Sequence, residues 1–342
     1  MSSLLPDGAA PVLGVPTGAG LTAPAGAALA RDVVDLGDLG ARLGSWRPRV
    51  VVSDMDGTLL DGAGVVSART HAAVAACRAA GLPVVGATGR GPRLLESVRE
   101  ALAGQGLAVL AQGGYVVRLG TGGAPDEVLR TVGMSREVAT RVIAAIEEVA
   151  GELVVAVEDA ADQVEALRPL RVQHGFDWPY PEPAQLLPRH EVLPVGAVLK
   201  VFLRSPSLVE DELVALARTV VDPADAELTH AGLGFIEVLP PGVTKATGLA
   251  VVLADLGLEL SDVLVFGDMP NDLPMIEAVT AGGGRAVAMA NAHPAVRAAA
   301  ADRTSGHDAD GVARYLEALL ALDDGALDHG ALDDGAPGVH GG

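Results

Sequence analysis

Short apolar runs that end in polar turns alternate with helix-length segments over most of this chain. Arg49–Ser53 is a β-branched run, and Ala68–Ala80 is a helical stretch closed by Gly81. Pro83–Ala87 reads as the next strand, a helix follows to about Ala103, and Leu107–Ala111 reads as a third strand. Much later the same rhythm returns. A helix over Lys245–Leu256 leads to a strand over Val263–Phe266 and a helix over Asn271–Val279. A strand over Ala286–Met289 and a helix over Pro294–Ala301 complete it. Short strands separated by helices of this length predict βαβ units around a buried parallel sheet.

The middle third breaks the rhythm. Strands are expected over Glu127–Val132 and Leu153–Glu158, with a helix at Arg136–Ala150 between them. A strand over Val195–Leu203, a helix over Leu208–Val220 and strands over Ala226–Thr229 and Phe235–Leu239 follow. The Pro-flanked run Asp177-Trp178-Pro179-Tyr180-Pro181 must be loop, and such aromatic loops are more often packed than functional. This block predicts a separate α+β unit at 121–232, inserted into a parallel domain made of 48–120 and 233–322. Residues 1–47 are rich in Ala, Gly and Pro and read as a low-complexity extension with a short helix near Asp32–Leu43. Residues 323–342 are acidic, Gly-rich and lack Lys and Arg, which predicts a disordered tail.

Composition narrows the chemistry. Of 342 residues 49% are hydrophobic but only 3% aromatic, so the core must be built from Val, Leu, Ile and Ala. Such material suits a parallel sheet covered by Ala-rich helices. The formal net charge of −20 repels nucleic acid and anionic membranes, so neither is an expected partner. It repels phosphorylated molecules as well, so a phosphate site here must carry its own local positive field. The single cysteine, Cys77, excludes an intrachain disulfide and reads as a small buried hydrophobe. No basic residue precedes Arg31, and no run approaches the roughly 18 apolar residues of a membrane span. The expected location is the cytoplasm.

Four polar constellations stand out, three at strand ends and one at a helix start. In Asp54-Met55-Asp56-Gly57-Thr58 two carboxylates lie two residues apart, on one side of an extended chain. That crowding is unfavourable unless a cation or a proton is shared there. A second apolar strand runs out into Gly267-Asp268-Met269-Pro270-Asn271-Asp272. Helix capping alone would not make both strand ends acidic, and ligands of open α/β sheets sit at these ends. The pair therefore points to a metal site with the oxygen ligands that suit magnesium. Thr88-Gly89-Arg90 offers a hydroxyl and free N–H groups at a helix start, either an anion cradle or an ordinary cap. Lys245 is one of only two lysines and opens a helix, where a compact ammonium can neutralise a phosphoryl group. The other, Lys200, lies in an apolar strand and reads as a cap contact or, by preference, a strand-edge lysine.

Together the four elements resemble the haloacid dehalogenase superfamily, and within it the Cof-type branch of sugar-phosphate and small-metabolite phosphatases. The order is Asp54-x-Asp56-Gly57-Thr58, Thr88-Gly89-Arg90, Lys245, then Gly267-Asp268-x-x-Asn271-Asp272. Val287-Ala-Met289-Ala-Asn291-Ala292 and Asp310-Gly311-Val312 look like that branch too. The resemblance covers about 48–322 and is loose over 121–232. It departs after the third strand, where Gln112-Gly113-Gly114 replaces the usual Asn-Gly-Ala.

The resemblance implies a Rossmann-like three-layer α/β core with a parallel sheet and an inserted α+β cap. It implies a phosphoric monoester hydrolase that needs Mg2+ and acts on a small phosphorylated metabolite. Asp54 would be the nucleophile and form an aspartyl-phosphate, while Asp56 would serve as the acid and base. Asp54, Asp268 and the Asp56 carbonyl would hold the metal. Thr88, Gly89, Lys245 and Asn271 would bind the phosphoryl oxygens, with Thr58 and Asp272 supporting these contacts. Two alternatives keep the same residues: a phosphomutase or phosphotransferase like the phosphomannomutases, and a non-catalytic phosphometabolite-binding protein.

Overall fold

The computed structural model describes residues 36–164, 167–179, 184–231 and 233–328. A helix α1 (Leu39–Leu43) leads into β1 (Val50–Ser53), whose four residues are all buried. Around β1 the chain builds β2 (Val84–Ala87), β3 (Gly106–Leu110), β4 (Tyr115–Leu119) and β5 (Glu127–Thr131). After the insertion it adds β12 (Val263–Gly267), β13 (Arg285–Ala288) and β14 (Asp302–Arg303). The sheet order is β14-β13-β12-β1-β2-β3-β4-β5, parallel from β14 to β3 and antiparallel beyond.

From the centre, β1 to β3 and β12 to β14 run outward in opposite directions. Right-handed crossovers therefore put their helices on opposite faces. Helix α2 (Ala68–Ala79) packs on α9 (Gly311–Asp328), and α6 (Lys245–Leu256) packs on α7 (Leu273–Ala281). Two shorter helices, α3 (Leu95–Ala101) and α8 (Pro294–Ala299), complete the three-layer α/β core. Local chemistry sets the helix starts: the Ser67 hydroxyl accepts from Thr70 N–H at α2, and Thr244 does the same for Thr247 at α6. The strand order reverses between β1 and β12, and in such sheets ligands collect at the carboxyl ends of the reversal.

The second sheet contains β6 (Val154–Asp159), β7 (Leu170–Gln173), β8 (Ala184–Leu187), β9 (Val198–Arg204), β10 (Glu227–His230) and β11 (Ile236–Leu239), in the order β10-β11-β9-β6-β7-β8. Strand alternation gives it two unlike faces. Val155, Val157, Val201, Leu203, Ile236 and Val238 pack under α4 (Arg136–Ala150) and α5 (Glu210–Val220). The cross-strand partners Glu158 and Lys200, and Glu237 and Phe202, share the opposite face. There Phe176, Trp178, Phe202 and Phe235 form one aromatic cluster, with neighbouring ring centroids 5.0 to 5.9 Å apart. It gathers three of the four phenylalanines in the chain.

Several sequence expectations shift. The β4–β5 hairpin belongs to the core sheet although 121 was the expected start of the insertion. Strand β11 belongs to the cap sheet although the insertion was expected to end at 232. Strand periodicity says which face is buried but not which sheet the strand joins. The short helix expected near Asp32–Leu43 is present as α1, and its Leu39 and Leu43 are buried in the core. Helix α9 runs past 323 to Asp328, and residues 329–342 of the expected tail lie outside the described residues, as does Tyr180. Cys77 is buried, and burial pushes its thiol up to about 11. No helix among the described residues is long and apolar enough to cross a membrane.

Candidate active site

Register brings the acidic turns together. Ser53 pairs with Phe266 across β1 and β12, so the next residues, Asp54 and Gly267-Asp268, emerge side by side. The Asp54 N–H donates to the Phe266 carbonyl at 3.0 Å. Beyond Asp54 the chain makes a wide helical turn over Met55–Leu59 with Gly57 at φ +80°. A Cβ on Gly57 would lie 2.5 Å from Asp268 Oδ2, so glycine is needed there for both conformation and space. Thr58 Oγ1 donates to Asp268 Oδ1 at 3.0 Å.

Asp272 closes the second turn. Its Oδ2 accepts from the Asp268 and Met269 N–H groups at 2.9 and 3.0 Å. Its Oδ1 accepts from Lys245 Nζ at 2.6 Å, and the same ammonium reaches Asp54 Oδ1 at 2.5 Å. Lys245 is fully buried at the first position of α6, as its place at a helix start suggested. Oxygens of Asp54, Asp268 and Asp272 lie within 4.8 Å of one another.

Three buried carboxylates with one ammonium leave negative charge in excess. Burial, opposed by Lys245 and reinforced by Asp272 and Asp268, holds the Asp54 carboxyl well above its usual range. Burial and then Asp272 push Asp268 up to about 6, against the Thr58 hydrogen bond and Lys245. Burial disfavours the charged lysine, but Asp272 and Asp54 outweigh it and raise Lys245. A set of oxygen donors short of positive charge fits a hard divalent cation such as Mg2+.

The remaining expected residues surround this cluster. Thr88 is buried at the end of β2, and its Oγ1 accepts from the Arg90 N–H at 3.0 Å. The Asp56 carboxylate is not in the cluster. It is half-exposed and receives Arg90 through two bonds of 2.6 and 3.0 Å. Asp272, expected to support the site by orienting Lys245, does contact that lysine, and its oxygens stand close to those of Asp54 and Asp268. Asn271 Nδ2 donates to Gln112 Oε1 at 3.2 Å, and Gly89 O accepts from Lys200 Nζ at 2.6 Å.

A haloacid dehalogenase-like hydrolase family model matches residues 51–316. The chain belongs to the haloacid dehalogenase-like hydrolases. This is the family that the four motifs resemble, and the matched span contains all of them. An HMP-PP phosphatase of Shigella boydii is 26% identical to this hydrolase over 255 residues, 73% of this chain and 91% of that protein. Several other curated relatives match over shorter stretches, 24% to 46% of their length. In fold it resembles SMU.1108c from Streptococcus mutans, at TM-score 0.67 and 23% identity over 80% of this chain and 99% of that one. It also resembles the subclass IIB sugar phosphatase BT4131, at TM-score 0.62 and 22% identity over 79% of this chain and 98% of that one.

Sequence reasoning missed what the cap of this hydrolase brings to the site. Lys200 is not a strand-edge residue: β9 is central, and the side chain is buried against Glu237 Oε1 at 2.7 Å. Arg93 of the core and Glu158 of the cap form a buried pair at 2.5 Å, with the guanidinium 5.3 Å from the Trp178 ring centroid. Asn291 Nδ2, from the run Val287–Ala292 that also carries the resemblance, donates to Gly57 O at 2.8 Å and to Asp268 Oδ2 at 3.3 Å. A charged residue inside an otherwise apolar strand was the one available signal for Lys200 and Glu237.

Proposed function

We propose that this hydrolase is a Mg2+-dependent phosphatase of small phosphorylated metabolites that works through an aspartyl-phosphate on Asp54. The observation that carries the reading is Asp54 itself: a buried carboxylate held at 2.5 Å by Lys245 beside two further carboxylates. Mere binding of a phosphorylated molecule gives no reason to bury an anion there. The sugar- and HMP-PP-phosphatase names of its relatives point the same way.

Asp54 and Asp268 would hold Mg2+, together with the Asp56 carbonyl, while Asp272 orients Lys245. When bound, the cation neutralises the nucleophile and the phosphoryl oxygens so that two anions can meet. Asp54 forms a bond to phosphorus as the ester bond to the leaving oxygen breaks. Asp56 gives that oxygen its proton, after turning from Arg90, and later takes one from the attacking water. Thr88, the Gly89 N–H, Lys245 and Asn271 bind the transferring oxygens. Thr58 and Asn291 orient Asp268. In phosphoryl transfer such positioning and charge supply most of the rate.

Asp54→Asn tests the reading. It should abolish Mg2+-dependent phosphate release from an aryl phosphate, and full activity in that variant would sink the assignment. Free phosphate from a sugar 1-phosphate, with no isomer formed, separates hydrolysis from a mutase reaction.

A further inference from the structure

A chain of hydrogen bonds, buried at its centre, runs from the cap to the edge of the cluster, and its bonds have a fixed direction. Lys200 Nζ donates to Glu237 Oε1 at 2.7 Å and to the Gly89 carbonyl at 2.6 Å. Glu237 Oε2 accepts from Gln112 Nε2 at 2.9 Å. Gln112 Oε1 then accepts from Asn271 Nδ2 at 3.2 Å. A carboxylate can only accept, so Glu237 dictates which end of the Gln112 amide faces it. The other end is then an acceptor, and it dictates that Asn271 turns its NH2 toward Gln112.

The backbone is shaped for this contact. Ala111 and Gln112 both take the left-handed region, at φ +47° and +58°, where a side chain other than glycine is strained. A Cβ on Gly89 would lie 2.6 Å from Gln112 Nε2, so the glycine leaves room for the amide. Gln112 is almost fully buried, and so are Lys200 and Glu237. The cap strand β10 also packs on the Pro270–Asp272 turn that carries Asn271.

We propose that Lys200 and Glu237 are positioning residues: through Gln112 they fix the amide of Asn271 in the orientation that binds the phosphoryl group. The cap thereby acts on the catalytic centre of the core and not only on the leaving group. This rests on the phosphatase reading, in which Asn271 touches phosphate.

The test exchanges the two side chains of the central bond in the full-length protein. Glu237→Gln removes the obligatory acceptor. The carbonyl of the substituted side chain keeps Lys200, its NH2 meets the NH2 of Gln112, and the amides of Gln112 and Asn271 must flip. Adding Gln112→Glu restores every direction. The carboxylate then at position 112 accepts both from the amide at position 237 and from Asn271, while the net charge matches wild type. Hydrolysis of an aryl phosphate and inhibition by inorganic phosphate are measured with Mg2+. The single variant should lose about 10-fold or more in kcat/KM and in phosphate affinity, the scale of one bond to a charged group. The double variant should recover to within about 3-fold, since donor and acceptor counts match again. A single variant with wild-type phosphate affinity, or a double variant no better than the single, overturns the proposal. If Glu237→Gln does not fold, Gln112→Met, which leaves the Lys200–Glu237 pair whole, must show the same loss, and wild-type phosphate inhibition in it overturns the proposal equally. An active Asp54→Asn would instead refute the phosphatase reading beneath it.

Discussion

Lys245→Met removes one positive charge from the most crowded point of the molecule. The ammonium is fully buried and lies 2.5 Å from Asp54 and 2.6 Å from Asp272. Without it, three carboxylates whose nearest oxygens are no more than 4.8 Å apart face one another with no cation between them. Two unit charges at that separation repel by about 3.5 kcal/mol at an effective dielectric near 20. Removing one partner of a buried ion pair costs about 3–5 kcal/mol by experience, so the two routes agree. For a chain of this size such a loss lowers the melting temperature on the order of 10 °C. Mg2+ would bind the variant's uncompensated cluster more tightly than that of wild type, and each 10-fold difference in Kd narrows the gap by about 1.4 kcal/mol. The assay is thermal melting of wild type and variant in EDTA and in Mg2+, followed by a phosphate-release measurement. The gap between the two proteins should be wide in EDTA and narrow in Mg2+, while activity stays at least about 100-fold down. A variant that melts with wild type in EDTA, or a gap that Mg2+ does not narrow, refutes the charge argument.

Two further outcomes follow from the same cluster. Gly57→Ala forces a left-handed alanine, costing about 1–2 kcal/mol, and drives its methyl into Asp268, 2.5 Å away. Phosphate release titrated with Mg2+ should show a higher metal requirement, and an unchanged titration would show that Asp268 does not hold metal. The second concerns pH. Asp268 is raised to about 6 in the folded chain, above its unfolded value. Its contribution to stability is therefore complete below the unfolded pKa and is lost as pH rises through about 6. In EDTA the advantage of Asp268→Asn over wild type in melting temperature should grow from about pH 5 to about pH 7. A constant advantage would contradict the raised value.

Three of the candidate-site motifs were legible because each closes an apolar strand, and parallel strands place their carboxyl ends on one edge. Asp54, Thr88 and Asp268 needed only that rule to be gathered. The direction of the Asp56 side chain was not legible, since two-residue periodicity ends where Gly57 turns the chain. Lys200 and Glu237 escaped for another reason. A charged residue in a strand normally faces water, and nothing local to Val198–Arg204 says that the core covers its polar face. The exchanged ends of the insertion have the same origin, since β5 and β11 are ordinary strands whose sheet is chosen by distant partners. Leu39 and Leu43 fall in the short helix expected near Asp32–Leu43, and only the surface they pack against was not legible.

The scarcity of aromatic residues has an optical consequence. The chain holds two tryptophans. Trp46 donates to the Ser261 carbonyl within the core, at 2.9 Å. Trp178 lies among the cap phenylalanines with the Arg93 guanidinium of the core 5.3 Å above it. Any separation of cap from core draws the second indole away from that cation and leaves the first undisturbed. The molecule thus carries its own fluorescent gauge of closure, with a built-in reference.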